Sequence, residues 1–360
     1  MLSAERNSVL ASGQTEPGSV GICTYFDQGY LTRAVALYRS LSRFHANLHW
    51  FMFCMDEESV RVIQALQLPG VTVVSRPQLE AADPELAAAA ASRSVVEYYF
   101  TCTAAVMLSA LQSDSTVSTL FYVDADLCFF APLDSLLQDM QQASVYITEH
   151  RFPQHLQDLL IYGRFNVGII GVRRSAQAVQ CLSVWRRQCI EWCFDRLEGD
   201  RFGDQKYLDA WPAAYSELQV CQHPGVNAAP WNKDNSQYQL VDGQVLINGQ
   251  PLVCFHFQGL RLFPGGLVLP QAIDYGTLLS PELQNLVYRP YLRRLQAAES
   301  ECHTSATSRR YSVSPRLLTI YRSRGNGRYW VRLGSRFPGL NSWNALLLVA
   351  IVAVRRMLGK

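Results

Sequence analysis

The chain has 360 residues, 49% hydrophobic and 17% charged, with a mean hydropathy of -0.01. These figures exclude a disordered chain, a collagen-like repeat, a small disulfide scaffold and a polytopic membrane protein, and leave room for one large or two smaller domains. The net charge of +2 hides a split: residues 1–285 hold 18 Lys+Arg against 28 Asp+Glu, and residues 286–360 hold 14 against 2, so an acidic body carries a basic tail that meets something anionic.

Residues 1–19 are polar and have no apolar core of a secretory signal, which predicts a disordered start and a cytoplasmic protein. From Val20 onward, short apolar runs alternate with helical periodicity, the pattern of βα units. Val20–Tyr25 predicts the first strand, and Tyr30, Leu31, Ala34, Leu37, Tyr38 and Leu41 fall on one helical stripe. His49–Met55 predicts a second strand, with Asp56 capping a helix that runs to about Leu66. Val71–Val74 predicts a third strand, followed by helical stretches over 83–92 and 96–112. Thr119–Val123 is apolar on both faces, which predicts a central strand. Later strands are expected at Ser144–Thr148, Asn166–Val172 and Leu252–Phe257. A hairpin at Asp242-Gly243 is expected to pair Tyr238–Val241 with Gln244–Ile247. After about 275 the pattern is helical and Arg-rich. The expected fold class is α/β: a mostly parallel, Rossmann-like sheet flanked by helices over 20–275, then a helical basic extension over 276–360.

The ten cysteines stand singly in apolar stretches with no Cys-x-x-Cys pair, which predicts buried, reduced thiols and excludes a zinc ribbon. Between Arg336 and Arg355 lie 18 uncharged residues that include Pro338, Asn341 and Ser342. That is too short and too polar for a bilayer span. With Trp343 and flanking arginines it predicts an interfacial helix on an anionic membrane surface, or a helix packed on the protein's own core. The neighbouring apolar, Trp-containing stretch favours lipid over nucleic acid as the tail's partner.

Ligands of open α/β sheets collect at the carboxyl ends of strands. Asp124 and Asp126 follow the strand Leu120–Val123, and carboxylates two apart on extended chain point the same way, able to hold Mn²⁺ or Mg²⁺ against a diphosphate. Asn166 and Gly168 stand at the mouth of another strand. Asp204 and Gln205 stand at a helix start, where an Asp is also an ordinary N-cap. His256 ends a late apolar strand, where a lone His is commonly a satisfied core residue. Beside an Asp-x-Asp it is a sensible third metal ligand, N alongside O.

In this order the pieces resemble the GT-A glycosyltransferases, specifically the retaining, family 8-like (glycogenin-like) nucleotide-sugar transferases and a bacterial subgroup of unsettled specificity. The resembling segments are Cys23-Thr24-Tyr25, Tyr122-Val-Asp124-Ala-Asp126, Asn166-Val-Gly168, Asp204-Gln205 and His256-x-x-Gly259, spread over roughly 20–265. The resemblance implies that Asp126 and His256 coordinate the metal and that Asp124 serves metal and ribose. It implies that Thr24 and Tyr25 line the nucleotide site, with Tyr25 stacked on the base, and that Asn166, Asp204 and Gln205 hold the donor sugar, Gln205 nearest the anomeric carbon. In a retaining enzyme the acceptor hydroxyl attacks from the leaving-group face and a diphosphate oxygen takes its proton. Two positions depart from the family pattern: Glu97–Leu111 contains no Arg, although Arg93 lies just before it, and Arg261 is only a partial match to the basic residue that follows Gly259.

The implied reaction moves a hexose from a nucleotide-diphospho-sugar, UDP-linked before GDP-linked, to a saccharide or glycolipid acceptor. That places the enzyme in the cytoplasm, peripheral on the inner face of the membrane, in surface polysaccharide assembly. A nucleotidyltransferase would want a Gly-rich basic loop after the first strand, whereas Thr24–Gly29 has one glycine and no Lys or Arg. A non-catalytic sugar- or nucleotide-binding protein on the same fold would be favoured by loss of Asp124 or Asp126, and both are present.

Overall fold

Chain order begins with two βα steps and a third strand: β1 (Ser19–Phe26), α1 (Leu31–Ser42), β2 (His49–Cys54), α2 (Glu57–Leu66) and β3 (Val71–Ser75). Asp56 caps α2 as its sequence position predicts, its side chain accepting from the Ser59 amide. The computed structural model describes residues 19–263, 267–273, 275, 277, 279–305, 319–322 and 329–332.

Next come α3 (Arg76–Ala82), α4 (Pro84–Ala89), a short 3-10 turn over Ala90–Ser92, and α5 (Val95–Ser113). Ser75 with Gln78 and Ser94 with Glu97 form reciprocal capping boxes, so α3 and α5 each start where a side chain satisfies free backbone amides. β4 (Val117–Val123) and β5 (Leu127–Phe129) lead to α6 (Asp134–Met140), β6 (Val145–Glu149), β7 (Phe165–Arg173) and α7 (Ala176–Glu191). The remainder of the body holds α8 (Trp211–Ala214), β8 (Leu218–Val220), the antiparallel ribbon β9 (Tyr238–Val241), β10 (Gln244–Ile247) and β11 (Gln250–Pro251), then β12 (Cys254–His256), β13 (Arg261–Phe263) and β14 (Leu267–Leu269).

The main sheet has seven strands in the order β3-β2-β1-β4-β7-β6-β8. The β3-β2-β1-β4 half is parallel, β7 is antiparallel to both of its neighbours, and β6-β8 is parallel again. Helices cover both faces. One apolar cluster places α1 and the C-terminal helix against the sheet, and a second places α5 and α7 on the opposite side. β4 lies at the centre, with Leu120, Phe121, Tyr122 and Val123 all buried, as its apolar run predicts.

The C-terminal part differs from a purely helical extension. α9 (Pro281–Leu283) and a π-turn (Gln284–Tyr288) lead into α10 (Arg289–Ser305), whose Tyr291, Leu292, Leu295 and Ala298 are buried in the cluster that holds α1. Beyond it, β15 (Thr319–Arg322) pairs antiparallel with β16 (Tyr329–Arg332). Thr-Ile-Tyr and Tyr-Trp-Val are β-branched and aromatic runs, so strand propensity prevails there over the expected helix. The stretch 1–18 and the apolar segment 337–354 lie outside the described residues. Among the described residues no helix is long and apolar enough to cross a membrane.

Candidate active site

β4 runs out at Val123, and the chain turns through Asp124-Ala125-Asp126 into β5. The turn is fixed by backbone hydrogen bonds: the Asp124 amide donates to the Gly168 carbonyl of β7 (2.9 Å), and the Leu127 amide donates to the Asp124 carbonyl (3.0 Å). β5 then pairs antiparallel with β12, with Leu127 opposite His256, and the Phe257 amide donates to the Asp126 carbonyl (3.0 Å). This small ladder brings a histidine far along the chain against the two aspartates. His256 Nε2 lies 3.1 Å from Asp126 Oδ1 and 3.5 Å from Asp124 Oδ2. One ligand atom from each of the three residues falls within 4.8 Å of the others.

Gly168 makes room for this arrangement. A Cβ at that position would stand 2.6 Å from His256 Cε1 and Nδ1 and 2.7 Å from Asn166 Oδ1. The spacing Asn-x-Gly is therefore steric: the asparagine reaches the site, and the glycine two residues on lets the imidazole lie against the same strand.

The charges of the three groups are interdependent. Burial and the Asp126 charge push the Asp124 carboxyl up, although His256 pulls the other way. Burial also acts to raise Asp126, but the adjacent His256 outweighs it, with help from Arg33 of α1, and holds Asp126 below the usual carboxylate range. Burial disfavours the charged form of His256, and the two aspartates override it, raising its pKa. Two carboxylate oxygens and one imidazole nitrogen converging at a strand end are a donor set that suits Mn²⁺ or Mg²⁺.

The triad borders a cavity of about 450 Å³ lined by Asp124 and His256 together with Asn166, Asp204 and Gln205. Asp204 and Gln205 open a 3-10 turn (Gln205–Ala210). Asp204 does not cap it; its Oδ2 accepts from Thr103 Oγ1 of α5 (3.0 Å), and its carbonyl accepts from Trp185 Nε1 (2.9 Å). Burial, reinforced by the Asp124 charge, pushes the Asp204 carboxyl up to about 7, against the Thr103 hydrogen bond. Gln205 Nε2 donates to the Tyr162 carbonyl (2.8 Å), which leaves its amide oxygen as the polar end. Phe202 of the preceding loop and Tyr162, whose ring centroids are 4.8 Å apart, also line the cavity.

Tyr25 lines the cavity and stacks on Tyr122 at 5.7 Å, and Tyr122 donates its hydroxyl to Asp124 Oδ1 (2.5 Å). The other sequence candidates lie further out. Thr24 is fully buried with no partner for its hydroxyl and does not line the cavity. Gly259 has φ +65°, and a Cβ there would stand 2.2 Å from Gln271 Oε1, which makes it a backbone requirement rather than a contact surface. Arg261 is exposed on β13 and is not among the residues lining the cavity. Arg93 is directed elsewhere, its guanidinium 3.9 Å from the centre of the Phe194 ring.

Four nearby residues were not singled out in the sequence: Arg33, Thr103, His150 and Asn227. Each acts through a partner distant in sequence, so no local spacing marks it. His150 lines the cavity, stacks on Phe152 at 4.7 Å, and is buried so that its pKa falls to about 4.

No protein-family model matches the chain. The uncharacterized proteins YfnD and YfnF of Bacillus subtilis (strain 168) are each 29% identical to it. The YfnD match spans 242 residues, 66% of this chain and 77% of that protein. The YfnF match spans 248 residues, 67% of this chain and 81% of that protein. Among solved structures, galactosyltransferase LgtC in complex with donor and acceptor sugar analogs aligns with a TM-score of 0.42 and 14% identity, over 66% of this chain and 87% of that one. Mouse xyloside xylosyltransferase 1, in its apo form, aligns with a TM-score of 0.43 and 15% identity, over 67% and 98%.

Proposed function

We propose that this chain is a metal-dependent glycosyltransferase of the GT-A, family 8-like kind, moving a hexose from a nucleotide-diphospho-sugar, UDP-linked before GDP-linked, to a saccharide acceptor. One observation carries the reading: Asp124, Asp126 and His256 converge at the edge of a cavity that Asn166, Asp204 and Gln205 also line. The lining is acidic. Asp124, Asp195 and Asp204 border the cavity, and no Lys or Arg is among the described residues that do. Among the described residues the lining itself offers a diphosphate no Lys or Arg, so a cation is what would make it hospitable to one.

In this reading Asp124, Asp126 and His256 hold Mn²⁺ or Mg²⁺, which when bound neutralises charge on a departing nucleoside diphosphate. Tyr25 faces the base and, with Thr24 behind it, shapes that end of the site. Asn166 and Asp204 orient the donor sugar, and the free amide oxygen of Gln205 faces its anomeric carbon. Gly259 and Arg261 belong to the diphosphate side in the same reading. The catalytic body is 20–275, and the basic segment 276–360 directs it to an anionic membrane surface, so that the acceptor is lipid-linked and made on the cytoplasmic face.

The test is release of nucleoside diphosphate from a panel of UDP- and GDP-hexoses by the full chain, with and without Mn²⁺. Slow hydrolysis of one UDP-sugar that EDTA stops is expected. If no donor binds or turns over under either condition, the transferase reading fails. Membrane recruitment is checked separately by co-sedimentation with anionic vesicles, comparing the full chain with one truncated after residue 335. Equal sedimentation of the two would remove the anchor.

A further inference from the structure

We infer that Asn227 is a positioning residue for the metal site: it fixes which nitrogen of His256 carries the proton and so presents Nε2, unprotonated, to the cation. This rests on the metal-site reading above and adds a residue to it. Asn227 is fully buried and holds φ +54°, a left-handed backbone that asparagine tolerates better than most side chains.

The polarity of the network around it follows from one backbone amide. The Gly168 N–H can only donate, and it donates to Asn166 Oδ1 (2.9 Å). That assigns oxygen and nitrogen of the Asn166 amide, whose Nδ2 then faces His150 Nε2 (3.3 Å). His150 must accept there, and its Nδ1 therefore carries the hydrogen that faces the Arg164 carbonyl (3.3 Å). The two ends of that branch agree.

The second branch starts from the same Asn166 oxygen. It also accepts from Asn227 Nδ2 (2.9 Å), and Asn227 Nδ2 donates its other hydrogen to Thr148 Oγ1 (2.8 Å). With both of its hydrogens committed, Asn227 can turn only Oδ1 toward His256, whose Nδ1 lies 3.3 Å away. An amide oxygen accepts, so His256 Nδ1 is the protonated nitrogen and Nε2 is the one aimed at Asp124 and Asp126. A metal-bound imidazole held from behind by an acceptor on its other nitrogen is the general way proteins fix a ligand's tautomer and ring orientation. Here the acceptor is a neutral amide locked by two donor bonds and a backbone N–H one residue further along the network.

The experiment measures Mn²⁺ affinity of the full chain, without substrate, by calorimetry. Asn227→Gly keeps the left-handed backbone at little cost and removes the side chain. Its Mn²⁺ affinity should fall roughly ten- to hundred-fold, the usual effect of losing such a partner. Thr148→Val breaks another hydrogen bond of the same amide but leaves Asn227 Oδ1 on His256, so its affinity should stay within about two-fold of wild type. Equal Mn²⁺ affinity in wild type and Asn227→Gly, or equal losses in both variants, overturns the inference. The wild-type protein loaded with diamagnetic Mg²⁺ supplies a readout that needs no variant: long-range ¹⁵N–¹H correlation of labelled histidine should show His256 protonated on Nδ1. Protonation on Nε2 instead overturns it. If wild type binds neither ion, the metal-site reading falls and takes this inference with it; if wild type binds and Asn227→Gly binds equally, only the inference falls.

Discussion

Two parts of the site are built by different means. The metal-side corner, Asp124, Asp126 and His256, is set by strand pairing: β4 delivers the aspartates, β5–β12 delivers the histidine, and backbone hydrogen bonds at Asp124, Leu127 and Phe257 fix the turn. A second part of the lining, Asp204 and Gln205, sits on a loop and a 3-10 turn, tied in by the side chain of Thr103 and the carbonyl of Tyr162. The corner holds its charge: Asp126 is kept low by His256, and His256 is kept high by both aspartates. The second part holds a carboxyl near neutrality, since Asp204 is raised to about 7. Strand pairing thus places a corner of mutually coupled charges, and side-chain contacts hold the carboxyl that is raised toward neutral pH.

Four changes probe that contrast, beginning with the strongest. Asp126→Ala removes the closest carboxylate from His256 and should abolish Mn²⁺-dependent turnover, at least about 100-fold, while circular dichroism stays native-like. Unchanged turnover would take the corner out of the chemistry.

Gly168→Ala places a methyl group where the imidazole lies and should weaken Mn²⁺ binding about ten-fold, with a stability loss of about 1–3 kcal/mol by urea titration. Normal metal affinity in that variant would mean that His256 has room to move and that the corner is less rigid than the strand pairing implies.

Asp204→Asn tests the second part through pH. A carboxyl whose pKa rises from 3.8 to about 7 on folding costs nothing below about pH 3, where both states are protonated. It destabilises the folded state progressively as pH rises toward 7, because the unfolded chain ionises first. Asp204→Asn should therefore melt higher than wild type at pH 8, by the equivalent of about 4 kcal/mol, and at the same temperature below about pH 3. A pH-independent difference would contradict the raised pKa. His150 gives the opposite sign: with its pKa lowered to about 4, wild type should lose stability between pH 6.5 and 4, and His150→Gln should lose less.

Much of the mostly parallel α/β sheet was legible in the sequence because its strands are apolar and its helices capped. The hairpin Tyr238–Val241 with Gln244–Ile247 forms with the expected boundaries, since Asp242-Gly243 supplies two left-handed residues in a row. The first strand, α2 and β4 appear within two residues of expectation for the same local reasons. The helix α7 is marked in the sequence chiefly by a stripe of apolar residues of mixed size, Ala178, Cys181, Leu182, Trp185 and Cys189, all buried. The hairpin β15–β16 stands where the Arg-rich composition predicts helix, because its β-branched and aromatic residues favour strand.

At the site, the residues legible beforehand were those whose meaning is local: the Asp-x-Asp after a central strand, and the Asn-x-Gly on β7. Asn227, His150 and Thr103 were not, because each matters only through partners 16 to 101 positions away. Thr24, Gly259 and Arg261 show the reverse: a local match placed them in the site, while the tertiary structure puts them beside the cavity rather than in its lining.

Crystals of the full chain soaked with Mn²⁺ and UDP, with anomalous data collected at the manganese edge, test the central claim most directly. One anomalous peak is expected in contact with Asp124, Asp126 and Nε2 of His256, with the diphosphate on its open side. A UDP molecule bound in the cavity with no ion at that corner, or an ion held elsewhere on the chain, would contradict it.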